Sequence, residues 1–233
     1  SVLLVGYSGS ATDLVTPAGV TEIYRQAFKD AIFNSVTISE GVIKVGDEAF
    51  NQSYSATKPD AIKSLSLPST LQYIGRSAFN GMKGITSINI PGSVKEISDS
   101  AFNNCTAVTS LTLNEGTEII GNSTFYGLAI EKLTLPSSLT TIKSSAFNGC
   151  TKLKDVVIPS TVTTMDGYVF SGCTNLVVFC EVEEANKPAG WNYSWNSGVA
   201  GTYYGFKNTV AKYTFVTGYE SEGMVIADVE TAT

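Results

Sequence analysis

The sequence predicts a β-rich solenoid, with short parallel strands stacked as about seven coils of 22–23 residues. Three observations predict it. Phenylalanine returns at a nearly constant interval, a proline or polar stand-in sits at a fixed distance before it, and two apolar pairs flank that proline in constant phase. Composition does not produce such a coincidence, so the repeat is read before any single residue.

Phe28, Phe50, Phe79, Phe102, Phe125, Phe147 and Phe170 are separated by 22, 29, 23, 23, 22 and 23 residues. Six follow a small residue (Ala27, Ala49, Ala78, Ala101, Thr124 or Ala146), and the seventh follows Val169. Eleven residues before each ring stand Pro17, Ser39, Pro68, Pro91, Asn114, Pro136 and Pro159. Alternating pairs precede that position, among them Val36/Ile38, Leu65/Leu67, Ile88/Ile90, Leu111/Leu113, Leu133/Leu135 and Val156/Ile158. A second set follows it, such as Val42/Val45, Leu71/Ile74, Val94/Ile97, Leu139/Ile142 and Val162/Met165.

Each landmark has a physical role. Alternation sends Leu65 and Leu67 to one face of a strand and Ser64 and Ser66 to the other. Proline ends the strand because it has no N–H to give a ladder. The Val-x-x-Ile step is expected to turn the chain, and the phenylalanine to fill the wide part of the coil. No unit buries its apolar side alone, so each depends on stacking against its neighbours. The 29-residue interval contains an insertion, Gln52 to Asp60, expected as a loop and read as simple length variation ahead of a functional loop.

The unit Leu153-x-x-Val156-x-Ile158-Pro159-x-x-Val162-x-x-Met165, followed by Phe170 and Cys173, resembles the BspA-like (type 5) leucine-rich repeat. Val108 to Phe125 and Ile130 to Cys150 do so as well, and Leu4 to Gly9 running into Phe28 resembles that family's first repeat. The resemblance implies a leucine-rich-repeat solenoid with an aromatic C-terminal cap, surface-exposed or secreted by gut and oral bacteria, with adhesive or binding roles and no catalytic residues. It covers roughly residues 3–212. The fifth repeat departs most, with Asn114-Glu115-Gly116 in place of the proline turn and one residue missing near Leu128.

Residues 1–180 are therefore read as the solenoid with its N-terminal cap, and 181–212 as a C-terminal cap that leaves the repeat. Lys187-Pro188-Ala189-Gly190-Trp191 and Trp195 resemble the family's closing segment. An open apolar end needs such cover, and large aromatic rings provide it. A second reading of Trp191 and Trp195 is a platform on which sugar rings stack. Residues 213–233 read as an edge strand, Tyr213 to Thr217, and an acidic linker or the start of a further module.

Several function classes are disfavoured. The formal net charge is −6, and Arg25 and Arg76 are the only arginines, which does not suit binding to phosphate backbones. No apolar run approaches the ~20 residues of a membrane-spanning helix. Localisation is expected to be extracellular or at the cell surface, after removal of a signal peptide that lies outside this numbering. The sequence has no histidine, which removes the commonest general base and metal ligand. Glu181, Glu183 and Glu184 are the one dense acidic cluster and read as a solvated turn.

Cys105, Cys150 and Cys173 share one phase, three residues after the ring, where Met82 stands in another coil; this marks a buried slot of modest size. Adjacent coils bring Cys150 near Cys173, but in-register side chains point the same way, which disfavours a bridge. Neither cofactor nor metal is expected.

A binding surface is expected on the outward face of the proline-terminated strands. Its candidate residues are Ser64, Ser66, Asn89, Thr112, Lys132, Thr134, Asp155 and Val157. The expected function is a non-catalytic binding module for a protein partner, such as host extracellular matrix or another surface protein. A glycan-binding module and a structural spacer are the alternatives.

Overall fold

A computed structural model describes residues 2–6, 12–53 and 61–207. Two kinds of strand alternate through them. In chain order they are β1 (Leu3–Leu4), β2 (Asp13–Val15), β3 (Glu22–Ile23), β4 (Ser35–Thr37), β5 (Lys44–Val45) and β6 (Ser64–Ser66). Then come β7 (Tyr73–Ile74), β8 (Ser87–Ile90), β9 (Glu96–Ile97), β10 (Ser110–Leu113), β11 (Ile119–Ile120) and β12 (Lys132–Leu133). The series closes with β13 (Thr141–Ile142), β14 (Asp155–Ile158), β15 (Thr164–Met165), β16 (Val177–Cys180), β17 (Gly190–Trp191) and β18 (Gly201–Tyr204).

The even-numbered strands from β4 to β14 are the alternating apolar pairs before the proline or its polar stand-in, as the periodicity predicts. The odd-numbered ones correct an expectation. The Val-x-x-Ile step does not merely turn the chain: its end is a two-residue strand, and nine of these form one unbroken parallel sheet from β1 to β17. Two residues are too short a run to show alternation in a sequence, yet stacking repeats them at constant register, as in Glu22↔Lys44↔Tyr73. The even strands, by contrast, form three separate ladders: β2–β4–β6, β8–β10 and β12–β14–β16–β18. The first interruption falls between β6 and β8; the insertion, whose residues 54–60 lie outside the described ones, precedes β6, and β4 still pairs with β6. The second falls at the fifth repeat, where the missing residue leaves β12 with two residues beside the four of β10.

Inside, the phenylalanines form a continuous stack. From Phe28 through Phe170, successive ring centroids lie 4.8, 5.5, 5.1, 5.8, 5.4 and 5.6 Å apart, with planes within 19° of parallel. Phe33 meets Phe28 edge-on at one end, and Trp195 meets Phe170 edge-on at the other. All seven rings are buried.

The backbone around the stack holds the coils together. Residues Gln26, Phe28 and Asp30 donate to the carbonyls of Asp47, Ala49 and Asn51 in the next coil. The peptide units continuing from those carbonyls donate onward, from Glu48, Phe50 and Gln52 to Arg76, Ala78 and Asn80. Three columns of peptide groups thus run along the solenoid, one of them traceable from Gln26 to Ser194. To aim its N–H this way, the residue two before each ring adopts a left-handed conformation: Gln26, Glu48, Ser77, Ser100, Ser123, Ser145 and Tyr168 have φ between 51° and 61°. None is glycine, so each carries a conformational cost of about 1 kcal/mol or more, offset by the bond it places.

The predicted slot is buried as expected, and it also has a polar function. The thiols of Cys105, Cys150 and Cys173 donate to the carbonyls of Phe79, Phe125 and Phe147 at 3.3 Å each. All four cysteines are free.

Beyond residue 180 the backbone path does not change when the sequence does. β17 pairs with β15 and β18 pairs with β16, so the segment expected to leave the repeat carries both sheets one coil further. The solenoid has about eight turns, the last of them formed by the segment that carries the aromatic residues. Trp191 pairs with Met165 in register, and Trp195 takes the place at the stack's end where a phenylalanine would be. Tyr213 to Thr217 and the acidic tail lie outside the described residues.

Two outcomes test this architecture. Phe102→Ala, in the middle of the stack, is expected to cost about 3–5 kcal/mol in chemical denaturation, because rings on both sides lose contact; a loss below about 1 kcal/mol would show that the stack is not the core. The second concerns the turns after the even strands. The Ser69 N–H holds the Glu40 carboxyl below its ordinary range, and the Ser137 N–H does the same for Glu115, each helped by the serine hydroxyl. A depressed carboxylate stabilises the fold above the unfolded pKa of about 4.3 and ceases to as pH falls through the lower folded value. The Glu40→Gln, Glu115→Gln variant should therefore have a lower urea midpoint near neutrality, with the gap closing at acid pH.

Candidate functional site

The even-strand face carries the predicted binding residues, and register arranges them. Val36, Ile88, Ile90, Leu113, Leu133, Val156 and Ile158 point into the core, which leaves the intervening residues outward. Ser64 and Ser66 pair with Ser35 and Thr37 in the first ladder, and Asn89 pairs with Thr112 in the second. Lys132 pairs with Asp155 in the third. Ser64, Ser66, Asn89, Thr112, Lys132 and Thr134 are exposed, while Asp155 and Val157 are half-buried. The candidates do not form one continuous row, because the ladder interruptions divide them into three groups. Asn89 also accepts a 2.8 Å hydrogen bond from Asn114, the residue that replaces proline in the fifth repeat.

The second interruption creates relief on an otherwise flat face. Between β10 and β12 lies an open groove of about 450 Å³, lined by Thr109, Leu111, Glu131, Lys132, Thr134 and Lys152 among others. Leu111 is only half-buried here, since the neighbouring strand does not cover it fully. Glu131 sits among three lysines: Lys154 bonds it at 2.8 Å and, with Lys152 and Lys132 nearby, holds its carboxyl below the ordinary range. Lys132 and Lys152 make no ion pair within 4 Å among the described residues. The groove is therefore locally basic on a chain of net charge −6.

One feature of the face escaped the sequence reading. Val157 pairs with Phe179, and Phe179 with Tyr203, so an aromatic row continues the face into the last coil. Phe179 and Tyr203 stack at 5.7 Å, and Phe206 lies 5.2 Å from Phe179. Carrying the phase of Val157 one repeat further would have found Phe179, which alternates with the buried Val178 and Cys180.

The sugar platform on Trp191 and Trp195 does not hold in this conformation. Their exposures are 5% and 2%, the rings meet edge to face at 5.3 Å, and Trp191 Nε1 donates to the Val162 carbonyl at 3.0 Å. The stack's end is the most apolar surface within their reach, so both rings turn inward. Tyr193, between them, is 90% exposed.

Burial pushes the Cys105 and Cys180 thiols up to about 12. The neighbouring Cys173 thiol and burial raise Cys150 as well, while Cys150 lowers Cys173. Glu181, from the acidic cluster, is engaged by the Ser160 N–H at 2.8 Å. Among the described residues, no group of three His, Cys, Asp or Glu could hold a metal ion, and no helix is long and apolar enough to cross a membrane.

The repeat itself decides the relationship. Six copies of the BspA type leucine rich repeat region match residues 6–60 and 57–177. The chain belongs to the BspA-type leucine-rich-repeat family. Among solved structures it is similar to a leucine rich cell surface protein from Faecalibacterium prausnitzii, at 27% identity and a TM-score of 0.67. That likeness covers 77% of this chain and 50% of the other, so the chain spans about half the relative's length. A leucine-rich repeat protein from Eubacterium ventriosum (22% identity, TM-score 0.64) shares the fold over 73% of this chain and 45% of its own. The leucine rich repeat protein of T. pallidum (24% identity, TM-score 0.53) does so over 78% and 75%. Among curated proteins, none matches the chain.

The thiols give a direct check on the packing of this family member. At mildly alkaline pH the native protein should react with a thiol reagent far more slowly than the urea-unfolded chain, as expected for thiols held neutral by burial. Rapid native labelling of Cys105 or Cys180 would contradict the buried slots.

Proposed function

We propose that the chain is a non-catalytic binding module, displayed at a bacterial surface or secreted, that engages a protein partner through its even-strand face. Host extracellular matrix or another surface protein is the expected class of partner. The observation that carries this reading is the relief on that face. A basic groove at the β10–β12 interruption is followed along the same face by Asp155 and the Val157–Phe179–Tyr203 row. Protein interfaces rely on a few aromatic and basic anchors set among neutral contacts, and the serine and threonine ladder supplies such a neutral surround.

Family membership and the neighbour described as a cell surface protein support placement outside the cell. The lack of histidine and the buried thiols support a role without catalysis.

The test is a solid-phase screen of the whole chain against host matrix proteins and glycans, repeated with Lys132→Ser, Asp155→Ser and Val157→Ser combined. A protein bound by the parent chain should lose about tenfold or more in affinity with the variant. Undiminished binding would remove the even-strand face from consideration. Hits confined to sugars would replace the protein reading by a glycan one, and a screen without hits would favour a spacer.

A further inference from the structure

The nine-stranded sheet has its own outward face, across the proline corner from the one just described, and its first coils differ from all later ones. Register sets Leu3, Glu22, Lys44 and Tyr73 in one row, with Arg25, Asp47 and Arg76 along a parallel row three residues on. Leu3, Tyr24 and Tyr73 are 44%, 48% and 42% exposed. They border an open groove of about 260 Å³ in which Gly46 replaces a side chain between Tyr24 and the next coil. Glycine is required there, since a Cβ would lie 2.7 Å from the Arg25 nitrogen. The floor of the groove is thus backbone and its walls are rings and cationic stems.

The charges decide what the groove suits. Each nearby carboxylate already has a partner. Glu22 faces Lys44 at 3.8 Å, Asp47 accepts the backbone N–H of Arg76 at 2.8 Å, and Glu48 accepts Lys29 at 2.6 Å. Lys44 also lies 5.6 Å from the centre of the Tyr73 ring. Arg25 and Arg76, the chain's only guanidinium groups, are exposed and make no ion pair within 4 Å among the described residues. They sit two coils apart, about 10 Å, which is roughly three residues of extended chain.

We propose that this face, built on Tyr24, Arg25, Lys44, Tyr73 and Arg76, is a second docking surface, for an extended acidic segment of a partner protein. Two carboxylates of the segment pair with the two guanidinium forks, and an apolar side chain between them enters the groove against Tyr24, Tyr73 and Leu3. Guanidinium groups bind carboxylates through paired hydrogen bonds, and tyrosine with arginine is the composition of interface anchors. An anionic glycan fits less well. Its hydroxyls would need free amide or carboxylate partners, whereas Glu22 and Asp47 are engaged and Leu3 offers none.

The test is a phage library of random dodecapeptides panned on the whole chain, with counter-selection on the Arg25→Gln, Arg76→Gln variant. Circular dichroism and thermal unfolding should be unchanged in that variant, because both side chains project into solvent. Enriched peptides should carry two acidic residues around an aliphatic or aromatic one. Their affinity, read by fluorescence anisotropy, should weaken as salt rises, fall about tenfold or more in the double variant and fall similarly in Tyr24→Ser, Tyr73→Ser. The Lys132, Asp155, Val157 variant should bind them like the parent, which separates this surface from the even-strand face. Failure to enrich an acidic motif, or enrichment indifferent to both arginines, overturns the proposal. So does a sulfated heparin oligosaccharide that binds through Arg25 and Arg76 when no peptide does.

Discussion

Everything in this fold depends on a match of two distances. Parallel strands repeat about every 4.8 Å, and stacked aromatic rings prefer nearly the same spacing. One phenylalanine per coil therefore fits with no gap above or below, and the centroid separations of 4.8–5.8 Å show how closely the coils keep to it. Once the rings set the pitch, the other positions follow. A small residue or valine precedes each ring, a cysteine, methionine or leucine fills the buried slot three residues later from Phe79 to Phe170, and the backbone enters the left-handed region just before. The constraint is collective, since no single coil has a core of its own.

What the sequence revealed follows the same logic. Landmarks that recur from coil to coil, such as Phe102 and, in five of seven coils, the proline at the phase of Pro91, are legible because seven copies average out local variation. The odd strands were not legible, since two residues carry no alternation and only the stacked register makes them a sheet. The strands of the last coil were not legible because Trp191 and Trp195 replace the expected residue types, although the backbone path they follow is the same. The missing residue near Leu128 was visible, but its consequence was not: whether a one-residue deficit is absorbed in a corner or shortens a strand depends on the neighbouring coils. Here it shortened β12 and opened a groove.

The division between inward and outward positions also explains why candidate sites were harder to read than the fold. Inward residues answer to a common geometry, and their types recur. Outward residues answer only to solvent or to a partner, so each coil differs, as the serines of β6, the Lys132–Asp155 pair and Phe179 illustrate. Local departures from the repeat, rather than the repeat itself, give the surface its features. The two grooves arise in this way, one from a shortened strand and the other from a glycine beneath two tyrosines.

The three columns of peptide groups beside the phenylalanines have an electrical consequence. In the sheets, successive bonds point in opposite senses and their dipoles nearly cancel. In the columns every carbonyl faces the first coil and every N–H the last, as along an α-helix. The rod thus has a lengthwise polarity that its net charge does not describe, with a negative pole at the Gln26 end and a positive one toward Ser194. Cations are favoured at a carbonyl pole, and Arg25 and Lys29 stand at that end. Two such rods laid head to tail would attract and two laid side by side in the same sense would repel, so the backbone alone gives the molecule a direction.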